Sequence, residues 1–167
     1  MTFSDISYDN LLIPTDGSEQ AANAVEEGIK LANEVDATVH ILHVVDAFEA
    51  KILPITGEEE AKREEYVEYG EQITTEAAQV AKDAGLEVET AVVVGIAHKE
   101  IQAYVEENEI DLVVIGSRGL GGVEEMLLGS TADKVIRLVN KPVTVVYQQP
   151  AEEVRWMLPS AEDTIHR

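Results

Sequence analysis

The residues in this chain best suited to chemistry lie in one stretch, GSRGLGGVEEMLLGST, which runs from Gly116 to Thr131. Five of the chain's eleven glycines stand there. Each glycine adds backbone entropy that folding must overcome, but each also lets the backbone adopt positive φ or approach a phosphate closely. The end of the stretch opens a helix near Gly129, Ser130 and Thr131. The free N–H groups and positive dipole end of a helix make an anion site, and Ser130 and Thr131 add hydroxyl donors. The plainer alternative is a glycine-rich loop in which Ser130 simply caps the helix. The stretch is not a Walker A loop, because no lysine lies between Gly116 and Thr131. It is not G-x-G-x-x-G either, since Gly119-Leu120-Gly121 is followed at the third step by Glu124. Arg118 is the one cation in the stretch. Phosphate charge would therefore be met by backbone N–H groups, Arg118 and a divalent ion such as Mg²⁺.

A second candidate is Asp16 in PTDGS (14–18). A carboxylate at a strand end can accept hydrogen bonds from ribose hydroxyls or an adenine edge. It can equally cap the following helix, with Glu19 at capping-box spacing, and Ser18 is another possible cap. The histidines point to structural or solvated roles. His40 and His43 are three apart on a strand and face opposite sides, His98 starts a helix, and His166 lies near the C-terminus. No metal-ligand spacing and no catalytic triad is indicated. The run EEEAKREEYVEYGE reads as a solvated helix face.

These candidates need elements to hold them, and apolar runs alternate with helical patterns along the chain. NLLIPT (10–15), TVHILHVV (38–45), EVETAVVVG (87–95), DLVVIG (111–116) and KPVTVVYQ (141–148) read as strands. Between them, Ala21, Val25, Gly28, Ile29 and Ala32 mark a first helix. Tyr66, Tyr69, Ile73, Ala77, Val80 and Ala84 mark a long second one, closed by Gly85. Ala97, Ile101, Tyr104 and Val105 mark a third, and Ala132, Val135, Ile136 and Val139 a fourth. The order β-α-β-α-β-α-β-α-β with near-continuous Val/Ile/Leu strands predicts a parallel sheet covered on both faces. In the doubly wound order 3-2-1-4-5, strands 1 and 4 are neighbours. The loops after them, PTDGS and the glycine stretch, would then face one crevice at the topological switch point.

With 167 residues and 45% apolar content, the chain fits a single domain with a real core. It has no cysteine, which excludes disulfides and thiolate chemistry. Its longest apolar run, Ala91 to Ala97, is far short of the ~20 residues a membrane helix needs. MTFSDISYDN shows no signal-peptide pattern, so a cytoplasmic protein is expected. Thirty-three acids against twelve bases give a net charge of −21, which disfavours nucleic acid and anionic membranes. Such a surface suits high salt, where screening removes the self-repulsion. Residues 150–167 form an acidic tail beyond the domain (1–149); it is expected either to be disordered or, as an exposed Trp favours, to dock through Val154, Trp156 and Leu158 on the body or on a partner.

Gly116-Ser117-Arg118-Gly119, nine residues, then Gly129-Ser130 spells G-x2-G-x9-G-[ST]. This resembles the nucleotide-binding signature of the universal stress protein family, in its ATP-binding branch. LLIPTDGSEQA, ILHVVD, VVVGIAHKEI, DLVVIGSRG and NKPVTVV resemble family segments in the same order, over roughly residues 8–148. The resemblance implies a single-domain Rossmann-like, adenine nucleotide alpha hydrolase-like α/β fold with the 3-2-1-4-5 sheet. It implies ATP bound with Mg²⁺ or Mn²⁺. By position, Asp16 would contact ribose and adenine beside Pro14 and Thr15, and Val44 would meet the adenine through its backbone. Ile115 and Gly116 would line the nucleotide, while Gly119, Gly129, Ser130 and Thr131 would hold phosphates. A homodimer through the last strand, 143–148, is implied as well. Arg118 stands where histidine is common in the family, and Gly121-Gly122 lengthens the run into an expected lid.

These features favour an ATP-binding stress or signalling regulator. The alternatives are a slow ATPase using Asp16, Glu124 or Glu125, a module for another nucleotide such as cyclic AMP, and a structural dimer with a vestigial site.

Overall fold

The computed structural model describes residues 7–46, 57–118 and 128–147, with the side chains of 57–59 left aside. Its elements are β1 (Asn10–Pro14), α1 (Glu19–Val35), β2 (Thr38–Asp46), α2 (Gly57–Asp83), β3 (Val88–Gly95), α3 (Ala97–Glu107), β4 (Leu112–Gly116), α4 (Ser130–Leu138) and β5 (Val143–Val146). The five strands form one parallel sheet in the order β3-β2-β1-β4-β5. Among the described residues, no helix is long and apolar enough to cross a membrane.

Strand alternation sorts the apolar side chains into two layers. Leu11, Ile13, Val39, Ile41, Leu112 and Val114 pack with α1 and α2, where Val25, Ile29, Ala32 and Ala81 meet them. Leu12, Leu42, Val113 and Ile115 turn to the opposite layer, against Ile101 and Val105 of α3 and Ala132 and Val135 of α4. Burial on both faces is why these strands read as unbroken apolar runs. At the foot of the sheet the Asp111 carboxylate accepts from the N–H groups of Asp9 and Asn10, at 2.8 and 2.9 Å, and ties β1 to β4.

Helix α1 buries the stripe its spacing predicts: Ala21, Val25, Gly28, Ile29 and Ala32, joined by Ala24. Gly28 is needed there, because a Cβ would run into the Ile13 side chain. Helix α2 is a correction in part. Its buried residues are Gly70, Thr74, Ala78 and Ala81; of the expected stripe, Ile73 and Ala77 are half-buried, with Ala77 packed on the core, whereas Tyr66, Tyr69 and Val80 are 43–50% exposed and Ala84 is exposed too. The helix lies so close to β2 and β3 that only small side chains fit beneath it. A Cβ on Gly70 would stand 2.6 Å from the His43 ring and 2.9 Å from Val92. Thr74 fits because its hydroxyl donates back to the Gly70 carbonyl at 2.9 Å. Gly85 closes the helix with φ +84, as expected of a C′ residue. In α4, Ala132, Val135 and Val139 are buried, but Ile136 is exposed.

Candidate functional site

Strands β1 and β4 are neighbours whose following helices, α1 and α4, pack on opposite faces, so a crevice opens beyond their carboxyl ends. Pro14 closes β1, and Thr15 extends its ladder by one bond, its N–H donating to the Leu42 carbonyl at 2.8 Å. The chain then turns through Gly17 at φ +79. The Gly17 N–H reaches Thr15 Oγ1 at 3.3 Å, and the Ser18 N–H donates to Asp16 Oδ1 at 3.0 Å. Ser18, not Asp16, is the N-cap of α1: its hydroxyl accepts from the Ala21 N–H at 3.1 Å. Asp16 stands half-buried on the outside of this turn.

On the other side, Ile115 is buried and Gly116 ends β4. Gly116 is where the two loops meet. A Cβ there would lie 3.2 Å from the carbonyl oxygen of Gln20 in the first turn of α1. Ser117 is fully buried, and its N–H donates to the Val146 carbonyl at 2.9 Å. Its own carbonyl accepts from the Gly129 N–H, so the stretch is closed into a loop with its two ends stapled. A Cβ on Gly129 would come within 3.1 Å of that Ser117 oxygen and 3.3 Å of the Arg118 Cα.

Gly129 is the N-cap of α4, and a glycine has no side chain with which to cap the helix. Ser130, expected as the alternative cap, is instead the first helical residue and is exposed; Thr131 follows it. The first N–H groups of α4 thus lack the hydroxyl that serves α1. Beneath them the buried Ser117 Oγ has no hydrogen-bond partner among the described residues. Ser117 was not singled out in the sequence, although it sits inside the signature; only its burial makes the hydroxyl conspicuous.

The fold sets Pro14 at the end of β1, with Thr15 and Asp16 after it, on the strand next to β4, which ends in Ile115 and Gly116; Arg118 lies beside Gly129, and Ser130 and Thr131 open α4. Val44 lies half-buried on β2, on the face shared with Ile115. Gly119, Gly121, Gly122, Glu124 and Glu125 lie outside the described residues, as does the tail. A helix N-terminus that starts at a glycine, a crowding-sensitive glycine cradle and a buried hydroxyl without a partner among the described residues are a donor set that fits a phosphate-bearing ligand. Among the described residues no three His, Asp or Glu gather as metal ligands.

The histidines hold structure. His40 is buried, its Nε2 3.2 Å from Asn10 Oδ1 and its Nδ1 3.0 Å from the Tyr104 hydroxyl. Burial lowers its pKa, against the opposing pull of Glu89. His43, on the other face, places Nδ1 2.8 Å from the Thr15 carbonyl. His98, at the start of α3, also has a lowered pKa, from desolvation first and then from Lys134 and Lys99.

Comparison with known proteins agrees with this geometry. The chain is 35% identical to the universal stress protein MJ0531 of Methanocaldococcus jannaschii over 146 residues, spanning 87% of this chain and 85% of that one. The solved structure of MJ0577, from the same organism, superposes with a TM-score of 0.80 at 32% identity, covering 87% of this chain and all of that one. A universal stress protein solved in complex with cAMP superposes with a TM-score of 0.63 at 26% identity, covering 85% and 98%. Residues 7–147 match the universal stress protein family as a whole, and the chain belongs to that family.

Proposed function

We propose that this protein binds ATP in the crevice between the β1 and β4 loops, and that occupancy of the site, rather than turnover, is its signal. One observation carries the reading: α4 begins at a glycine, which has no side chain to cap it, and that glycine is hydrogen-bonded to Ser117, whose buried hydroxyl has no partner among the described residues. The N–H groups of Ser130 and Thr131 and their hydroxyls would hold the phosphates, with Arg118 and Gly119 beside them. Asp16 would take the ribose, and Pro14, Thr15, Val44, Ile115 and Gly116 would line the nucleoside. Mg²⁺ or Mn²⁺ would come with the triphosphate and neutralise its charge. Of the carboxylates available to activate water, Asp16 already accepts the Ser18 N–H, which favours a regulator over a slow ATPase.

The solved relative with cAMP supports a second reading, in which the same helix end holds a single cyclic phosphate. Calorimetric titration with Mg-ATP and with cyclic AMP, in concentrated KCl, separates the two. One site per chain with Kd of about 1–100 μM for ATP, and weaker cyclic AMP, is expected. The reverse order would install the cyclic nucleotide, and no heat from either would end the nucleotide reading.

Around this site the protein works as a cytoplasmic homodimer. β5 is the last strand of the sheet, no other strand pairs with its outer edge among the described residues, and Tyr147 beyond it is 54% exposed. Residues 1–149 form the working domain, and 150–167 an acidic extension. The charge of −21 fits a salt-rich interior, so a melting temperature that rises with KCl is expected.

A further inference from the structure

We propose that His43 is a positioning residue for the nucleoside end of the site, acting through the backbone carbonyl of Thr15. The proposal rests on the nucleotide reading above and deepens it. Thr15 is the hinge between β1 and the turn that carries Asp16. Its N–H is fixed by the Leu42 carbonyl and its C=O by His43 Nδ1, both at 2.8 Å. A carbonyl only accepts, so Nδ1 must carry the proton, and His43 is the donor. The ring is 7% exposed and cannot swing away. It sits under Gly70, whose missing Cβ makes the room, and meets the Tyr69 ring edge-on at 6.1 Å. Tyr69 continues the brace, because its hydroxyl lies where a Gly17 Cβ would be.

Helix α2 thus reaches the turn at two points. It holds His43 against Thr15 from below, and it covers Gly17 with Tyr69. Asp16 lies between those points, and its Oδ1 accepts the Ser18 N–H at 3.0 Å. The close approach of α2, with Gly70 and Thr74 in place of larger residues, has a purpose in this arrangement: it locks the donor under the loop. A simple core position on β2 would take valine or isoleucine, as Val39, Ile41 and Val45 do on the same face.

The test compares His43→Phe, which keeps a ring and loses the donor, with His43→Asn, which loses the ring and keeps an N–H donor near Nδ1. Affinities of the full chain for adenosine, ATP and inorganic tripolyphosphate are measured by calorimetry, with circular dichroism melts alongside. His43→Phe should weaken adenosine and ATP by about tenfold and leave tripolyphosphate unchanged, and His43→Asn should recover to within about threefold of wild type. Equal loss in the two variants, a milder loss in His43→Phe, or a matching loss for tripolyphosphate would reduce His43 to packing. Wild-type protein that binds neither adenosine nor ATP takes down the nucleotide reading and this proposal together, before any variant is made. Should His43→Phe not fold, imidazole ¹⁵N NMR of the wild type decides. An Nδ1–H tautomer that persists on adding adenosine is expected, and an Nε2–H tautomer overturns the proposal.

Discussion

The loops after β1 and β4 begin alike, each leaving a buried parallel strand for a helix, and they end differently. The β1 loop satisfies itself. Asp16 takes the Ser18 N–H, Thr15 takes the Gly17 N–H, and Ser18 caps α1. The β4 loop leaves capacity open. Its helix starts at a glycine without a side-chain cap, over a buried hydroxyl with no partner among the described residues. Buried polar groups are nearly always paired, and under the proposed function a ligand would give the second loop what the first supplies from its own sequence. Under the proposed function, one loop would orient a nucleoside and the other would be completed by phosphate.

The sharpest way to break this contrast is to make the β4 loop resemble the β1 loop. Gly129→Asp puts a capping carboxylate on α4, which would take the helix donors for itself and repel phosphate. The added Cβ also presses on the Ser117 oxygen and the Arg118 Cα, at 3.1 and 3.3 Å. ATP affinity should fall by about 100-fold or more, close to 2.7 kcal/mol, as read by titration. Binding within threefold of wild type would mean that the α4 N-terminus does not meet the phosphates.

The reverse experiment strains the finished loop. Gly17 has φ +79, and a Cβ there would stand 2.5 Å from the Tyr69 hydroxyl. Gly17→Ala should cost about 2 kcal/mol of stability and lower Tm by roughly 4–8 °C. A variant that melts with the wild type would show that the β1 turn is not held as tightly as its hydrogen bonds indicate.

A matched pair of serines gives a finer comparison. Ser18→Ala removes the cap of α1 and should cost about 1 kcal/mol of stability. Ser130→Ala removes an exposed hydroxyl at the first position of α4. It should leave stability within about 0.5 kcal/mol while weakening ATP by about three- to tenfold. Denaturant midpoints and titrations on both variants should show one change in stability and the other in affinity. Parallel effects would erase the distinction between the loops.

What could be read from the sequence follows the same division. The five strands and the stripe of α1 were legible, because burial on both faces leaves unbroken apolar runs and helical spacing repeats. The face of α2 was legible only in part, through Ile73 and Ala77. Periodicity weighs hydrophobicity, and Tyr66, Tyr69 and Val80 outweigh Gly70, Thr74 and Ala78, yet the narrow gap over β2 and β3 admits only the small set. In the β4 loop the residue types announced an anion site. Which residue caps α4 depended on backbone geometry, and Ser130 was a reasonable but incorrect alternative. His43 was legible only as a strand residue facing away from His40. Its bond to Thr15 joins elements 28 residues apart, and no local pattern carries that.

Those two histidines supply the smallest expected effect and a control on the site. His40 lies at the foot of the sheet, where Nε2–H donates to Asn10 and Nδ1 accepts from Tyr104. The charged group facing it is Glu89, 3.7 Å away and largely solvent-exposed. Burial outweighs that carboxylate and depresses the His40 pKa below its ordinary 6.5. The unfolded chain therefore takes up a proton on this residue before the native protein does. The His40 contribution to stability is complete above about pH 6.5 and is lost as pH falls through the folded-state value. His40→Gln, which cannot titrate, should flatten the decline in stability between pH 7.5 and pH 5.5, measured by denaturant titration, and leave ATP affinity at pH 7.5 unchanged. His43→Phe should do the opposite and change affinity at pH 7.5. If His40→Gln weakened ATP as much as His43→Phe does, the brace under Thr15 would lose its specificity, and loosening the sheet anywhere would be enough to disturb the site.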